Sequence, residues 1–319
     1  ARVRIVHDGR GTGGGPEAGM IAAWGAHVHV RKFNNEDALE TAHEIERFMT
    51  HELPAYSRDR LQTFEQTQCV CTAMSILSME LQAANVYNGG TYEVVLGALK
   101  HNQEPTDMAD EYNVEGSQNA PSQWRRMIWQ CVLAMRYLEA QTALTPAAVL
   151  ETHALLMFGA RGGPGAHEST STGYRTHNAC AGEFSFMPPQ DIQEKLELTL
   201  KKFENAIQQS TEHPVRIASD LLVDFVTVHP FANGNGRMCR ILFAYALKRS
   251  GFPGTCALTS PGSKAHKDYI KAIQRAQQSL VESKRYDMYW MALYSVGASV
   301  ANARFVMGDE SANKRHEKV

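Results

Sequence analysis

The sequence predicts an all-α fold, a bundle of helices with one short β-hairpin beside a glycine-rich loop. Two observations carry that expectation. Most of the chain falls into segments whose apolar residues recur at helical spacing, as Ile217, Leu221, Leu222, Phe225 and Val228 do, and such residues line one face of a 3.6-residue repeat. The segment Gly173–Phe186 instead mixes alternating and aromatic residues without that spacing, which reads as a hairpin.

In chain order, residues 1–20 are rich in glycine and are expected to form a flexible leader. Helices are predicted over Glu36–Thr50, Arg58–Ala84, Tyr92–Lys100, Ser122–Thr142 and Pro146–Phe158. Asn88, Gly89 and Gly90 mark a turn between the second and third, and the polar, acidic stretch Asn102–Pro121 reads as a surface loop. Gly159–Thr172, glycine-rich and polar, reads as a mobile loop before the hairpin. Further helices are predicted over Gln190–Gln209, Val215–His229, Arg237–Arg249, Lys264–Ser283 and Asp287–Val306, the third of these closed by Ser250 and Gly251 as a glycine cap. The expected organisation is an N-terminal helical region over 21–121 with a regulatory role, a catalytic domain over 122–306 and a charged tail over 307–319.

Composition narrows the function classes. With 43% hydrophobic and 21% charged residues the chain reads as an ordinary globular protein. A net charge of −2 argues against a general nucleic-acid binder, which needs a clustered basic surface. No apolar run approaches the roughly 20 residues that span a bilayer. Six cysteines in 319 residues do not form a disulfide framework. Cys69 and Cys71 lack both the spacing and the second pair of a zinc site. These features lead to the expectation of a cytoplasmic location.

The chemistry concentrates in His229-Pro230-Phe231-Ala232-Asn233-Gly234-Asn235-Gly236-Arg237-Met238-Cys239-Arg240. Gly234, Asn235 and Gly236 are residue types that tolerate positive φ, so successive backbone N–H groups can converge on an anion. The helix that follows adds partial positive charge at its N-terminus. Arg237 and Arg240, three apart, share a helix face and suit phosphate oxygens. Imidazole is the side chain suited to taking a proton near neutral pH, and His229 stands beside this nest.

This run closely resembles the motif of the Fic (Fic/Doc) family, His-Pro-Phe-x-(Asp/Glu)-Gly-Asn-Gly-Arg-x-x-Arg, and departs from it at Asn233 alone. Upstream, Gly173, Tyr174 and Arg175 with the aromatic stretch behind them resemble the family's flap, and Thr145–Met157 resembles the helix before it. The resemblance implies a helical core with one hairpin and transfer of AMP from ATP onto a protein hydroxyl. By resemblance His229 is the general base and Gly234, Asn235, Gly236, Arg237 and Arg240 hold the phosphates, Arg240 at the γ-phosphate. Gly173, Tyr174 and Arg175 face the target. Relatives that transfer UMP, phosphate or phosphocholine, or that remove AMP, leave those reactions open, as they leave a pocket that binds nucleotide without turnover.

The family's acidic residue binds Mg²⁺, and Asn233 in its place offers one neutral oxygen, a weaker ligand for a hard cation. Many relatives also carry an inhibitory helix, Ser/Thr-x-x-x-Glu-Gly/Asn, whose glutamate pairs with the second arginine. The nearest match is around Glu80, without the leading hydroxyl or the small last residue. The acceptor is expected to be a Ser, Thr or Tyr of a target protein, or a small molecule.

Overall fold

Ten α-helices and two minimal strand pairs make up the described residues of the computed structural model, which are 35–81, 90–110, 112–113, 121–158, 160–161, 173–182, 184–209, 212–256, 258, 263–278 and 286–307. The predicted leader, most of the loop after Gly159 and the charged tail lie outside them. The all-α fold with a hairpin is therefore the one the sequence indicates.

Helix α1 (Asn35–Arg47) carries Glu36 and Asp37 in its first turn, where acidic groups suit the positive end of a helix. It continues through one π turn, Phe48–Glu52. Helix α2 (Arg58–Leu81) is buried without a break from Thr67 to Leu77, as befits a helix surrounded by others. Glu80 sits in its last turn, and its side chain lies outside the described residues. Helix α3 (Thr91–His101) starts at Gly90, whose φ of 66° needs no Cβ to be accommodated.

The polar segment after α3 departs from a plain surface loop. Tyr112–Asn113 (β1) pairs in parallel with Ala160–Arg161 (β2). Just before β1 the chain is fastened to α4 (Pro121–Glu139), where Arg125 donates to the Asp107 carboxylate at 2.6 Å and Arg126 Nε to the Ala109 carbonyl at 2.7 Å. A two-residue parallel pair is made of backbone bonds and has no side-chain periodicity to betray it.

Helix α5 (Pro146–Met157) begins as its sequence dictates. Thr145 Oγ1 accepts the Ala148 N–H at 3.1 Å, and Pro146 occupies a position where a missing N–H costs nothing. The hairpin is short, Cys180–Ala181 (β3) antiparallel to Phe184–Ser185 (β4), with Gly182 at φ 61° in its turn. Helices α6 (Ile192–Gln209), α7 (Pro214–Val228), α8 (Asn235–Arg249), α9 (Ser263–Gln278) and α10 (Tyr286–Met307) follow.

The centre of the molecule is α8, buried from Arg237 through Leu247 and packed against α7, α4 and α2. It ends at Ser250, with Gly251 at φ 89° as the sequence predicts. The last helix returns to the first: α10 packs on α1 and α7, and Arg304 grips Glu52 with two bonds of 2.7 and 2.8 Å. All six cysteines are free. Among the described residues no helix is long and apolar enough to cross a membrane.

Candidate active site

The site is the junction between α7 and α8, the two helices in most extensive contact. Pro230 has no N–H to carry α7 further, and the chain leaves it at His229 in a left-handed conformation (φ 51°, ψ 58°). That conformation costs an L-residue roughly 1–2 kcal/mol, so the surroundings must hold it. The His229 N–H closes on the Phe225 carbonyl at 3.0 Å. The imidazole stacks face to face on Phe186 of the flap, centroids 3.7 Å apart and planes within 15°. Phe184 meets Phe186 edge-on at 5.4 Å, so the aromatic flap residues form a backing for the histidine ring.

Arg175 supplies the rest of the hold. Expected on the target-facing flap, it is instead buried at 4% exposure and aimed at main-chain carbonyls. Its Nε donates to His229 O at 2.7 Å and Nη1 to His177 O at 2.6 Å; Nη2 donates to Met187 O and, at 3.4 Å, to Val228 O. Its own N–H bonds Pro230 O at 2.9 Å. One guanidinium thus ties the C-terminal carbonyls of α7, where a cation is favoured, to both arms of the flap. Burial pulls this group below its ordinary value, though an arginine in a protein stays charged. Gly173 is exposed beside it, and Tyr174 is half-buried against Phe231 at 6.1 Å.

Beneath the loop lies His153 of α5, which sequence reasoning did not single out. It is 1% exposed and stacks on Phe231 at 3.7 Å and 5°. Its Nε2 lies 3.0 Å from the Asn233 carbonyl, which can only accept, so Nε2 carries the hydrogen. Burial drives this imidazole down to about 4, with Arg237 adding to the effect. A lone histidine on an apolar helix carries no sequence signal of such a contact. Phe231 itself is 1% exposed, the core residue its pattern implies.

Of the three residues expected to form an anion nest, only Gly234 adopts positive φ (80°). A Cβ there would stand 3.0 Å from Met157 Sδ and 3.3 Å from His153 Nε2, so a side chain at this φ is both strained and crowded. Asn235 and Gly236 are the first residues of α8, and the first intrahelical donor of this turn is Met238, bonding Gly234 O at 2.9 Å. The amides this loop has to offer an anion are therefore those of a helix N-terminus. The Asn235 side chain serves the loop instead. Its Oδ1 accepts Phe231 N–H at 3.0 Å and its Nδ2 donates to Phe231 O at 2.6 Å, stapling the loop shut.

Arg237 and Arg240 are buried at 2% and 4% exposure. Burial pushes the Cys131 thiol of α4 up to about 12, with both arginines near enough to pull the other way. Arg240 Nη2 donates to Ile76 O of α2 at 3.0 Å, and its guanidinium lies 5.9 Å from the Tyr269 ring of α9. Glu80 follows Ile76 by one turn on the same helix.

The residues present do not fit the Mg²⁺ ligand role that the resemblance implies for position 233. Asn233 Oδ1 accepts the Gly234 N–H at 2.7 Å and its carbonyl faces His153, so both oxygens are turned toward protein donors. Among the described residues no cluster of three His, Cys, Asp or Glu is placed to hold a metal.

Comparison with known proteins gives this geometry relatives. The Fic/DOC family profile matches residues 143–247. A Fido domain-containing protein of Dictyostelium discoideum is 34% identical over 105 residues, 33% of this chain and 71% of that protein. The protein adenylyltransferase Fic of Culex quinquefasciatus is 41% identical over 61 residues, 18% of this chain and only 12% of that protein. Among solved structures, Fic-1 from C. elegans aligns with a TM-score of 0.60 at 16% identity, covering 87% of this chain and 73% of its own. A Fic domain-containing signaling protein from Bacteroides thetaiotaomicron aligns at 0.59 and 14%, covering 85% and 96%. These structural likenesses concern the fold.

Proposed function

The chain belongs to the Fic/DOC family, and on that premise we propose that it transfers AMP from ATP to the hydroxyl of a protein Ser, Thr or Tyr. The observation that carries this reading is the clamped His229 at the end of α7, set against the N-terminus of a helix that brings in two buried arginines. His229 accepts the proton of the attacking hydroxyl. The hydroxyl oxygen bonds the α-phosphorus, and the bond to the bridging oxygen breaks, releasing pyrophosphate. Asn235, Gly236 and Arg237 offer the first-turn amides of α8, and Arg237 and Arg240 offset the phosphate charge. Such a reaction depends mainly on positioning and charge stabilisation.

The names of the adenylyltransferase relatives support AMP over other groups, although this chain matches about an eighth of their length. The flap edge at Cys180–Ser185 is the surface on which an extended target segment can add as a strand. The region before α4 is read as regulatory because α2 carries the carbonyl that holds Arg240.

Incubation with ATP labelled at the α- or γ-phosphate tests the reading. Transfer of α-label to protein, lost in His229→Ala, is expected. Transfer of γ-label would assign a phosphate-transfer reaction instead, and nucleotide binding without any transfer would assign a pocket that only binds.

A further inference from the structure

We infer that Asn233 contacts a phosphate oxygen directly through its amide nitrogen, so that this site holds the phosphates without a cation bound to the protein. The inference rests on reading the loop as a phosphate site and concerns how that site balances charge.

The Gly234 N–H, a donor only, settles which end of the Asn233 amide is oxygen: Oδ1 accepts it at 2.7 Å. Nδ2 then occupies the other branch, and no protein group among the described residues takes its hydrogens. The residue is half-buried beside the start of α8. A carboxylate in the same rotamer would keep one oxygen on the Gly234 N–H and present the other where Nδ2 now stands. That second oxygen would repel a phosphate unless a cation lay between them. Asparagine reverses the polarity at that one atom, from acceptor to donor, and a donor meets a phosphate oxygen directly.

The remainder of the loop holds the amide in place. His153 Nε2 fixes the Asn233 carbonyl at 3.0 Å, and Gly234 lies close against His153 and Met157, where a Cβ would be crowded. Charge that a cation would offset falls to the amides of α8 and to Arg237 and Arg240. An asparagine here is therefore the partner of a metal-free anion site and not a weakened metal ligand.

Inorganic tripolyphosphate is the probe, titrated calorimetrically into the full chain with EDTA or with Mg²⁺. Wild type is expected to bind with EDTA at least as well as with Mg²⁺. Asn233→Ala should weaken binding about tenfold to a hundredfold in both buffers, the size of one lost hydrogen bond to a charged group. Asn233→Asp keeps the Gly234 bond and the fold, as unchanged melting confirms; it should bind more than about tenfold more weakly with EDTA and recover with Mg²⁺. A wild type that needs Mg²⁺, or an Asn233→Asp indistinguishable from wild type with EDTA, overturns the inference, as does a wild type that binds tripolyphosphate in neither buffer. Intact binding without α-label transfer strikes the transferase reading and leaves this inference standing.

Discussion

Replacing Arg175 with alanine should destabilise the protein by about 3–5 kcal/mol, the range for breaking a buried charged network by removing one partner. The size follows from its contacts. Three short bonds join the guanidinium to His229, His177 and Met187, and a longer one reaches Val228. Each hydrogen bond to a charged donor contributes about 1.5–3 kcal/mol, and truncation leaves the carbonyls short of a donor at about 1–3 kcal/mol apiece. These costs do not simply add, since the contacts share one side chain. Strain at the left-handed His229, which the guanidinium helps to hold, adds to the loss. Lysine cannot reproduce the fork, so Arg175→Lys should recover only part of the loss. Urea unfolding gives the free energy, and thermal melting should fall by roughly 6–15 °C. The alternative, an arginine that reads the target, predicts normal stability and a changed KM for the target alone. A measured loss below about 1 kcal/mol in Arg175→Ala would refute the clamp.

The neighbouring residues give further tests. Gly234→Ala places a Cβ 3.0 Å from Met157 Sδ at a φ of 80°; it should cost about 1–3 kcal/mol in urea unfolding, and a neutral result would show the loop to be adaptable. Asn235→Asp removes the donor to Phe231 O at 2.6 Å and should cost about 1–3 kcal/mol, with transfer reduced because the loop is no longer stapled. His153 titrates at about 4 in the fold against an ordinary 6.5, so between those values the unfolded chain binds the extra proton. Its contribution to stability is complete above pH 6.5 and drains away as pH falls toward 4, by roughly 3 kcal/mol. His153→Phe keeps a ring against Phe231 and should flatten that part of the stability profile; an unchanged slope would assign the acid loss to other groups. If Glu80 is inhibitory, Glu80→Gly raises nucleotide transfer, and unchanged activity with unchanged ATP affinity would discard that role.

What the sequence made legible is what repeats or punctuates. The helix that ends at His229 announced itself by Ile217, Leu221, Phe225 and Val228 on one face and by Pro230 as its stop, and α5 by Thr145 and Pro146 at its start. The loop was legible as a cluster of special residue types, but not the division of labour within it. Gly234 turns the chain, Gly236 is plain helix, and Asn235 spends its side chain on Phe231. That division depends on which groups the rest of the molecule offers, and those lie far away in sequence: His153 is 80 residues before Asn233, and Ile76 is 164 before Arg240. Arg175 shows the limit most sharply. In sequence it is a cation in a flap beside aromatic residues, which suits a docking surface as well as a brace. Only the fold brings the carbonyl ends of α7 to that cation, and a buried guanidinium with carbonyls on several sides cannot also reach out to a partner. The flap and His229 are therefore one mechanical unit. Under the proposed transfer reaction, a target segment added to the flap would press on the strand leading into Phe186, and through it on the ring of His229, which would couple docking to alignment of the proposed base by contact.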